Sequence, residues 1–230
     1  MRDAVKRLRV GASFRSNGSD ARAVEDIIAR LPLPAFDAPS LALVGNAPEL
    51  GDRGRAIDAA ACVVRFNNAQ GFGGPAGERV TVLALVNRGG QARAWVEDDG
   101  FLARPVVREA GRYLLPFPEL APHEEGAHER VCWTVPLRTR LGHRPVHGLT
   151  AELHARAHHL LGPDAGGTPN PSTGFLVALA ILEGRPPALP PIEVYGFGFA
   201  GWPGHPWDAE RRWFAAAEAA GRLRLHPLAS

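Results

Sequence analysis

Lysine is nearly absent from this chain: Lys6 is the only lysine among 26 lysines and arginines. The net charge of +2 over 230 residues is too small to indicate nucleic-acid binding, so no nucleic-acid partner is predicted. Arginine can pair with a phosphate or carboxylate through two parallel hydrogen bonds, whereas lysine acts as a point charge. An anionic ligand would therefore find suitable partners in this composition.

Cysteines and long apolar runs are also scarce. Cys62 and Cys132 each lie in a short apolar run, which predicts buried free thiols rather than a disulfide. No stretch approaches the roughly 20 apolar residues that span a bilayer, and the first 20 residues lack the apolar core of a signal peptide. We therefore expect a cytoplasmic protein. Its basic N-terminal arm could touch an anionic membrane surface, although a solvated tail is the simpler interpretation.

The sequence has little that would hold a metal ion. His154 and His158 stand four residues apart on a predicted helix, a spacing that can bind zinc, but no third ligand is evident nearby. The acidic run Glu97, Asp98 and Asp99 is interpreted as a solvated turn. No metal site and no cofactor are predicted.

The apolar pattern predicts an α/β fold, with a Rossmann-like, mostly parallel sheet flanked by helices. Continuous apolar runs typical of buried strands occur at LALVG, ACVVRF, VTVLALV, RYLLPF, RVCWTV and IEVYGFGF. Helical patterns occur at SDARAVEDIIARL, LTAELHARAHHLL, STGFLVALAILEG and PWDAERRWFAAAEAAG. We predict a basic flexible arm over residues 1–20 and a single domain over residues 21–230.

Two predicted strands end in polar, glycine-bearing turns. The first is followed by Gly45 and Asn46, and the second by Asn67 and Asn68. Ligands of open α/β sheets bind beyond the carboxyl ends of the strands, and asparagine can both donate and accept hydrogen bonds. Each asparagine alone is equally consistent with an ordinary turn residue.

Two further segments place polar side chains at predicted helix entrances. Ser172 or Thr173 caps an apolar helix, where free amides favour an anion, although an ordinary cap has the same pattern. His205 follows a strand and a glycine-rich loop and directly precedes Pro206. Histidine has an unperturbed pKa of about 6.5, which suits proton transfer near neutrality. A lone histidine is nevertheless more often structural.

Taken together and in this order, the segments resemble the motifs of the eukaryotic-type sialyltransferase family. VGNAPELGDRGRAID with VVRFNNA is similar to the long motif, and GERVT to the segment that trails it. PSTGFLVALAILEG with IEVYGFG is similar to the short motif, and HPWDAE to the very short motif. The matches run from about Leu41 to Trp213, with no clear counterpart between Asn87 and Asn170.

The resemblance implies a variant glycosyltransferase-A fold and a metal-independent, inverting transfer of sialic acid from CMP-sialic acid to a glycan or glycolipid acceptor. His205 would be the general base. The implied donor-binding residues are Gly45, Asn46, Asn67, Ser172, Thr173 and Gly174. The implied supporting residues are Asn68, Arg65, Gly198 and Glu210.

The chain departs from the family pattern in ways that leave alternatives open. A second histidine motif, which helps the leaving phosphate, has no match before His205, so Arg65 or Arg53 is expected to substitute. His147 is the next candidate for the base. The sequence does not separate sialic acid from another CMP-activated ulosonic acid such as Kdo. A non-catalytic nucleotide-sugar-binding protein is the third interpretation.

Overall fold

A computed structural model of the chain describes residues 34–48, 50–120, 131–162 and 170–229. The predicted basic arm, over residues 1–20, and the helix predicted up to Leu31 lie outside the described residues.

The described residues form a seven-stranded sheet in which every neighbouring pair is parallel, in the order β5-β4-β3-β2-β1-β6-β7. The strands are β1 (Leu41–Val44), β2 (Cys62–Phe66), β3 (Val82–Ala84), β4 (Arg112–Leu115), β5 (Val146–Gly148), β6 (Ile192–Tyr195) and β7 (Leu223–Leu225). The predicted α/β class and its parallel sheet are confirmed.

Helices connect the strands and cover both faces of the sheet. They are α1 (Gly54–Asp58), α2 (Gly89–Glu97), α3 (Pro105–Glu109), α4 (Thr134–Leu141), α5 (Ala151–Leu161), α6 (Thr173–Gly184) and α7 (Trp207–Ala219), with short 3₁₀ turns at Pro34–Asp37 and Phe101–Ala103. Among the described helices, none is both long enough and apolar enough to cross a membrane.

The alternation of side chains along each strand divides the core into two layers, since successive side chains of a strand point to opposite faces. Leu41 and Leu43 of β1 pack into the cluster that contains Phe175 of α6 and Phe214 of α7. On the other face, neighbouring strands pack against α2, α3 and α4, where Trp95 is almost fully buried. Burial on both faces explains why the central strands consist mainly of apolar residues.

The strand predicted at RVCWTV is wrong, because helix α4 begins there instead. The side-chain amide of Asn87 donates to Thr134 Oγ1 at 2.6 Å, and its backbone carbonyl accepts from Trp133 at 2.9 Å. These bonds to Asn87, in the loop after β3, fix the start of the helix. Cys132 retains only an isolated bridge to Arg88.

The cysteines differ in their surroundings, although both are free. Cys62 is buried in β2, and burial raises the pKa of its thiol to about 11, so the reactive thiolate is suppressed. Cys132 is only half-buried, which corrects the prediction that both thiols are enclosed.

The predicted histidine pair on α5 is half-buried and packs beside Phe117. The His154 ring lies 5.4 Å from the Phe117 ring and 5.2 Å from the His158 ring, measured between centroids. The Nε2 atom of His154 is buried without a hydrogen-bond partner. Burial, together with smaller contributions from the nearby His158 and Arg88, lowers the pKa of His154 to about 4. Within the described residues, no three His, Cys, Asp or Glu side chains form a group that could hold a metal ion.

The low pKa of His154 predicts a loss of stability in acid. The unfolded chain binds a proton at this residue below about pH 6.5, whereas the folded protein binds it only near pH 4. Stability should therefore fall as the pH falls through this window, by on the order of 2 kcal/mol from this residue. His154→Leu should flatten that slope in urea unfolding curves recorded at pH 7 and pH 4.5. His159→Leu, at an exposed position of the same helix, is the control. Equal slopes in the wild type and His154→Leu would contradict the assignment.

Candidate active site

A cavity of about 460 Å³ opens beyond the carboxyl ends of β1, β2 and β6. The chain order reverses at β1, which lies between β2 and β6, so this is the switch point at which α/β sheets bind ligands. The lining residues are Gly45, Asn46, Ala47, Pro48, Phe66, Asn67, Ser172, Thr173, Gly174, Gly196, Phe197, Gly198, Phe199, Ala200, Gly201, His205, Trp207 and Glu210. The list includes every predicted catalytic and donor-binding residue.

The cavity floor depends on a close approach of two backbones. The amide of Gly45 donates to the Tyr195 carbonyl at 2.8 Å, and that of Ala47 donates to the Gly196 carbonyl at 3.1 Å. A Cβ atom at Gly45 would lie 2.2 Å from the Gly196 carbonyl oxygen, far inside contact distance. Glycine at position 45 is therefore required for the turn after β1 to pass the turn after β6.

Asn46 and Asn67, which follow β1 and β2, form hydrogen bonds to neighbouring loops at the cavity wall. Asn46 donates to the Phe66 carbonyl at 3.1 Å and accepts from the Gln70 amide at 3.0 Å. Asn67 accepts from the Val86 amide at 2.9 Å and has a φ of +54°, a left-handed conformation that asparagine tolerates. Each amide group keeps at least one polar hydrogen that these bonds do not use, so a ligand can still be bound.

Ser172 caps helix α6 and is itself held by Glu210. The Ser172 hydroxyl accepts from the Phe175 amide at 3.1 Å and donates to Glu210 at 2.6 Å, and the Ser172 amide donates to the same carboxylate at 2.7 Å. Glu210 thus positions Ser172 at the start of helix α6. The first amides of a helix have no acceptor within it, so those of Thr173 and Gly174 are available at the cavity wall.

Glu210 is the acidic group of the cavity. Its carboxyl group is almost fully enclosed, and burial raises its pKa even though the two bonds from Ser172 lower it. In the described part of the chain, the cavity wall contains no arginine or lysine. The polar donors for a bound anion are therefore neutral amides and hydroxyls.

His205 stands at the entrance of α7 with its ring fixed. The Nδ1 atom lies 2.7 Å from the Asn170 carbonyl oxygen, which can only accept, so Nδ1 carries the hydrogen. In the neutral ring this leaves Nε2 with a free lone pair. Burial lowers the pKa of His205 despite the bond to Asn170, so the ring is neutral at pH 7 and able to take up a proton.

Three predicted supporting or alternative residues lie away from the cavity. Arg65 is fully buried in β2 and donates to the Arg79 and Ala76 carbonyls, so it cannot reach a phosphate in the cavity. Asn68 accepts from Trp95 and Arg104. His147 lies on β5, an edge strand that β4 and β3 separate from the cavity strands.

Arg53 does not replace Arg65 as a phosphate ligand, because it is an exposed residue before α1 and does not line the cavity. The expectation that either arginine compensates for the missing second histidine is therefore corrected. The two arginines fail for opposite reasons: one is committed to carbonyl groups inside the fold, and the other faces solvent.

The aromatic residues of the site were not predicted from the sequence. Phe66 and Phe197 line the cavity with ring centroids 5.8 Å apart, and Phe199 lines it with a φ of +48°, unusual for a residue with a side chain. Trp207 also lines it. Their positions in the sequence could have indicated them, because Phe197 and Phe199 each follow a glycine and Phe66 ends the strand that precedes Asn67.

Three solved structures that share this fold are sialyltransferases. A mammalian sialyltransferase in complex with Gal-beta-1-3GalNAc-ortho-nitrophenol superposes with a TM-score of 0.50 at 16% identity, over 90% of this chain and 78% of that one. The alpha-2,3-sialyltransferase from Campylobacter jejuni gives 0.53 at 11% identity, over 84% and 76%. The Campylobacter jejuni sialyltransferase CstII with CMP-3FNeuAc gives 0.50 at 12% identity, over 82% and 80%. The chain therefore has a glycosyltransferase-like fold of the sialyltransferase kind.

A protein of similar sequence shows the family to which this chain belongs. The urease operon 23 kDa accessory protein of Rhizobium meliloti (strain 1021) is 31% identical over 202 residues, which cover 82% of this chain and 93% of that protein. The chain belongs to the family of this accessory protein. No protein-family model matches the sequence.

Proposed function

We propose that the protein transfers sialic acid from CMP-sialic acid to a hydroxyl of a glycan, with inversion at the anomeric carbon. The acceptor oxygen forms a bond to that carbon as the bond to the phosphate oxygen breaks. CMP leaves, and His205 Nε2 takes the hydroxyl proton. The observation that carries the proposal is the convergence of three separate sequence segments on one cavity, with a neutral, oriented histidine in its wall.

The arrangement of polar groups supports an anionic donor. Asn46 and Asn67 would bind the nucleotide and its phosphate from the ends of β1 and β2. The free amides of Thr173 and Gly174 would bind the sugar carboxylate, since a helix N-terminus favours negative charge. Because Glu210 already binds Ser172, the site would bind the donor through these two amides rather than through the Ser172 hydroxyl.

A second candidate is an accessory protein that binds a nucleotide sugar without turning it over. The relative from Rhizobium meliloti is named as an accessory protein of a urease operon. The described cavity wall also has a buried carboxylate, and no arginine or lysine to assist a leaving phosphate. Donor binding without release of CMP in the presence of acceptor would favour this candidate.

The donor class can be tested by thermal unfolding with CMP, UDP, GDP and NAD. A ligand that binds only the folded state stabilises it by about 2.7 kcal/mol at 100 times its dissociation constant. We expect CMP alone among the four to raise Tm. CMP-sialic acid and CMP-Kdo, assayed for CMP release with lactose as acceptor, then separate the two candidate donors.

A matched pair of variants connects the shift in Tm to the cavity. Gly198 lines the cavity, and a Cβ there would meet its nearest neighbours at 3.6 and 3.7 Å, so Gly198→Leu adds bulk without a backbone clash. It should abolish the shift with CMP. Gly90→Leu, at an open position of α2, should keep it. An unchanged shift in Gly198→Leu would place the nucleotide elsewhere.

A further inference from the structure

The ring of His205 lies between two indoles. The Trp202 and Trp207 ring centroids are each 4.9 Å from that of His205, with interplanar angles of 79° and 76°. Trp207 lines the cavity, and its Nε1 donates to the Trp202 carbonyl oxygen at 3.0 Å. One indole is thus part of the cavity wall, and its hydrogen bond links it to the loop that carries the other.

Trp202 differs from an ordinary exposed apolar residue in being held in place. Its side chain is 46% exposed, which alone is common on protein surfaces. The indole lies against Gly204 so closely that a Cβ there would come within 2.1 Å of it. A glycine two residues on therefore lets the ring lie over the backbone beside His205, while nearly half of the side-chain surface stays open to solvent.

The position of Trp202 next to His205 indicates which ligand would pack against the exposed indole. A hydroxyl that gives its proton to a histidine must come within about 3.2 Å of the ring nitrogen. The sugar ring that bears the hydroxyl then lies within a few ångströms of the groups that flank the imidazole. Aromatic side chains offer a large, rigid apolar surface with a negative face, against which C–H groups pack.

We propose that Trp202 binds the acceptor, by packing against the C–H face of its terminal pyranose, and so selects sugars with an unbroken apolar face, such as galactose. This inference rests on the proposed function, because it takes His205 as the base. Trp207 holds the Trp202 loop and bounds the cavity, and Trp202 forms the outer wall of the acceptor site.

Saturation-transfer NMR with CMP and lactose present together tests the donor and acceptor sites separately. In the wild type, saturation should reach the CMP protons and the ring C–H protons of galactose. Trp202→Ala should weaken lactose binding about tenfold, as expected for the loss of one stacking contact, and leave the CMP signals unchanged. Trp202→Phe should recover part of the lactose signal. Leu160→Ala, which removes a side chain 49% exposed on α5, should change neither.

The outcomes separate the two proposals. Lactose signals that are unchanged in Trp202→Ala, or absent from a wild type that still binds CMP, would overturn the acceptor site and leave the donor site standing. A wild type with no CMP signals would contradict the donor site, whatever lactose does. Loss of both ligands in Trp202→Ala, with the fold intact by circular dichroism, would make Trp202 a structural residue and overturn its role in acceptor binding.

Discussion

His205→Ala should lower the rate of sugar transfer by about 10²- to 10⁴-fold, the usual contribution of a positioned general base. The neutral ring can accept a proton only at Nε2, because Nδ1 donates to the Asn170 carbonyl oxygen. Alanine removes that acceptor and leaves the acceptor hydroxyl to lose its proton to water. CMP affinity should change little, since no part of the proposed nucleotide contact involves the ring. Single-turnover rates with CMP-sialic acid and lactose measure the effect.

The pH dependence gives a second measure of the same residue. The base is active only when neutral, and burial lowers the pKa of His205. The wild-type kcat/KM should therefore stay high as the pH falls to about 6.5, the ordinary value, and decline only below it. This acid limb should disappear from the residual activity of His205→Ala.

Two histidine variants serve as controls for the base. His154→Ala and His147→Ala remove residues that do not line the cavity, so each should keep most of the wild-type turnover. His205→Asn should be about as poor as alanine, because it keeps polarity without accepting the proton. Turnover above about a tenth of the wild type in His205→Ala, where chemistry limits the rate, would assign the base to another residue.

The sequence predicted the central part of the fold well because the central strands are buried on both faces. Strand β1 is a continuous apolar run, and β2 and β6 are each interrupted by a single charged residue, Arg65 and Glu193. Strands β5 and β7 have only three residues each and lie at the edges of the sheet, where one side lacks a neighbour. Their pattern is too short and too polar to be distinguished from a loop.

The candidate site was predicted from motifs, but the role of several residues became clear only from the structure. Asp58 accepts from the Glu78 and Arg79 amides at 2.9 Å each, and a Cβ at Gly77 would overlap its carboxylate. Thr81 accepts from the Val63 amide at 3.0 Å. Asp58 thus connects α1 to the loop before β3, Thr81 connects that loop to β2, and neither residue lines the cavity. Similarity to a motif does not distinguish residues that line the cavity from residues that stabilise the fold.

Arg65 shows why side-chain direction was the least predictable property. It stands one residue before Phe66, which lines the cavity, and two before Asn67. Successive side chains of a strand point to opposite faces, so Arg65 enters the layer opposite to Phe66 and bonds to the loop that contains Ala76. The carbonyl groups that bind its guanidinium group belong to residues 11 and 14 positions further along the chain, which the local sequence does not identify as neighbours.

Gly45→Ala should destabilise the protein by about 3 kcal/mol, at the upper end of the usual cost of overpacking. The new Cβ would lie 2.2 Å from the Gly196 carbonyl oxygen and 2.8 Å from its carbonyl carbon, so the obstruction is backbone and no rotamer change can relieve it. The turns after β1 and β6 must separate, which breaks the bond from the Ala47 amide to the Gly196 carbonyl. Because both turns line the cavity, CMP binding should weaken in the same variant.

Two other glycines give matched controls for Gly45→Ala. At Gly198, in the same cavity, a Cβ would meet its neighbours at 3.6 Å or more, and at Gly90 it would meet nothing within 4 Å. Gly198→Ala and Gly90→Ala should therefore each change the unfolding free energy by no more than about 1 kcal/mol, since loss of glycine flexibility is the main effect there. Urea unfolding of all three variants measures the difference in unfolding free energy. If Gly45→Ala unfolds within 1 kcal/mol of these controls, the two turns can separate without cost, and the close backbone contact does not shape the donor cavity.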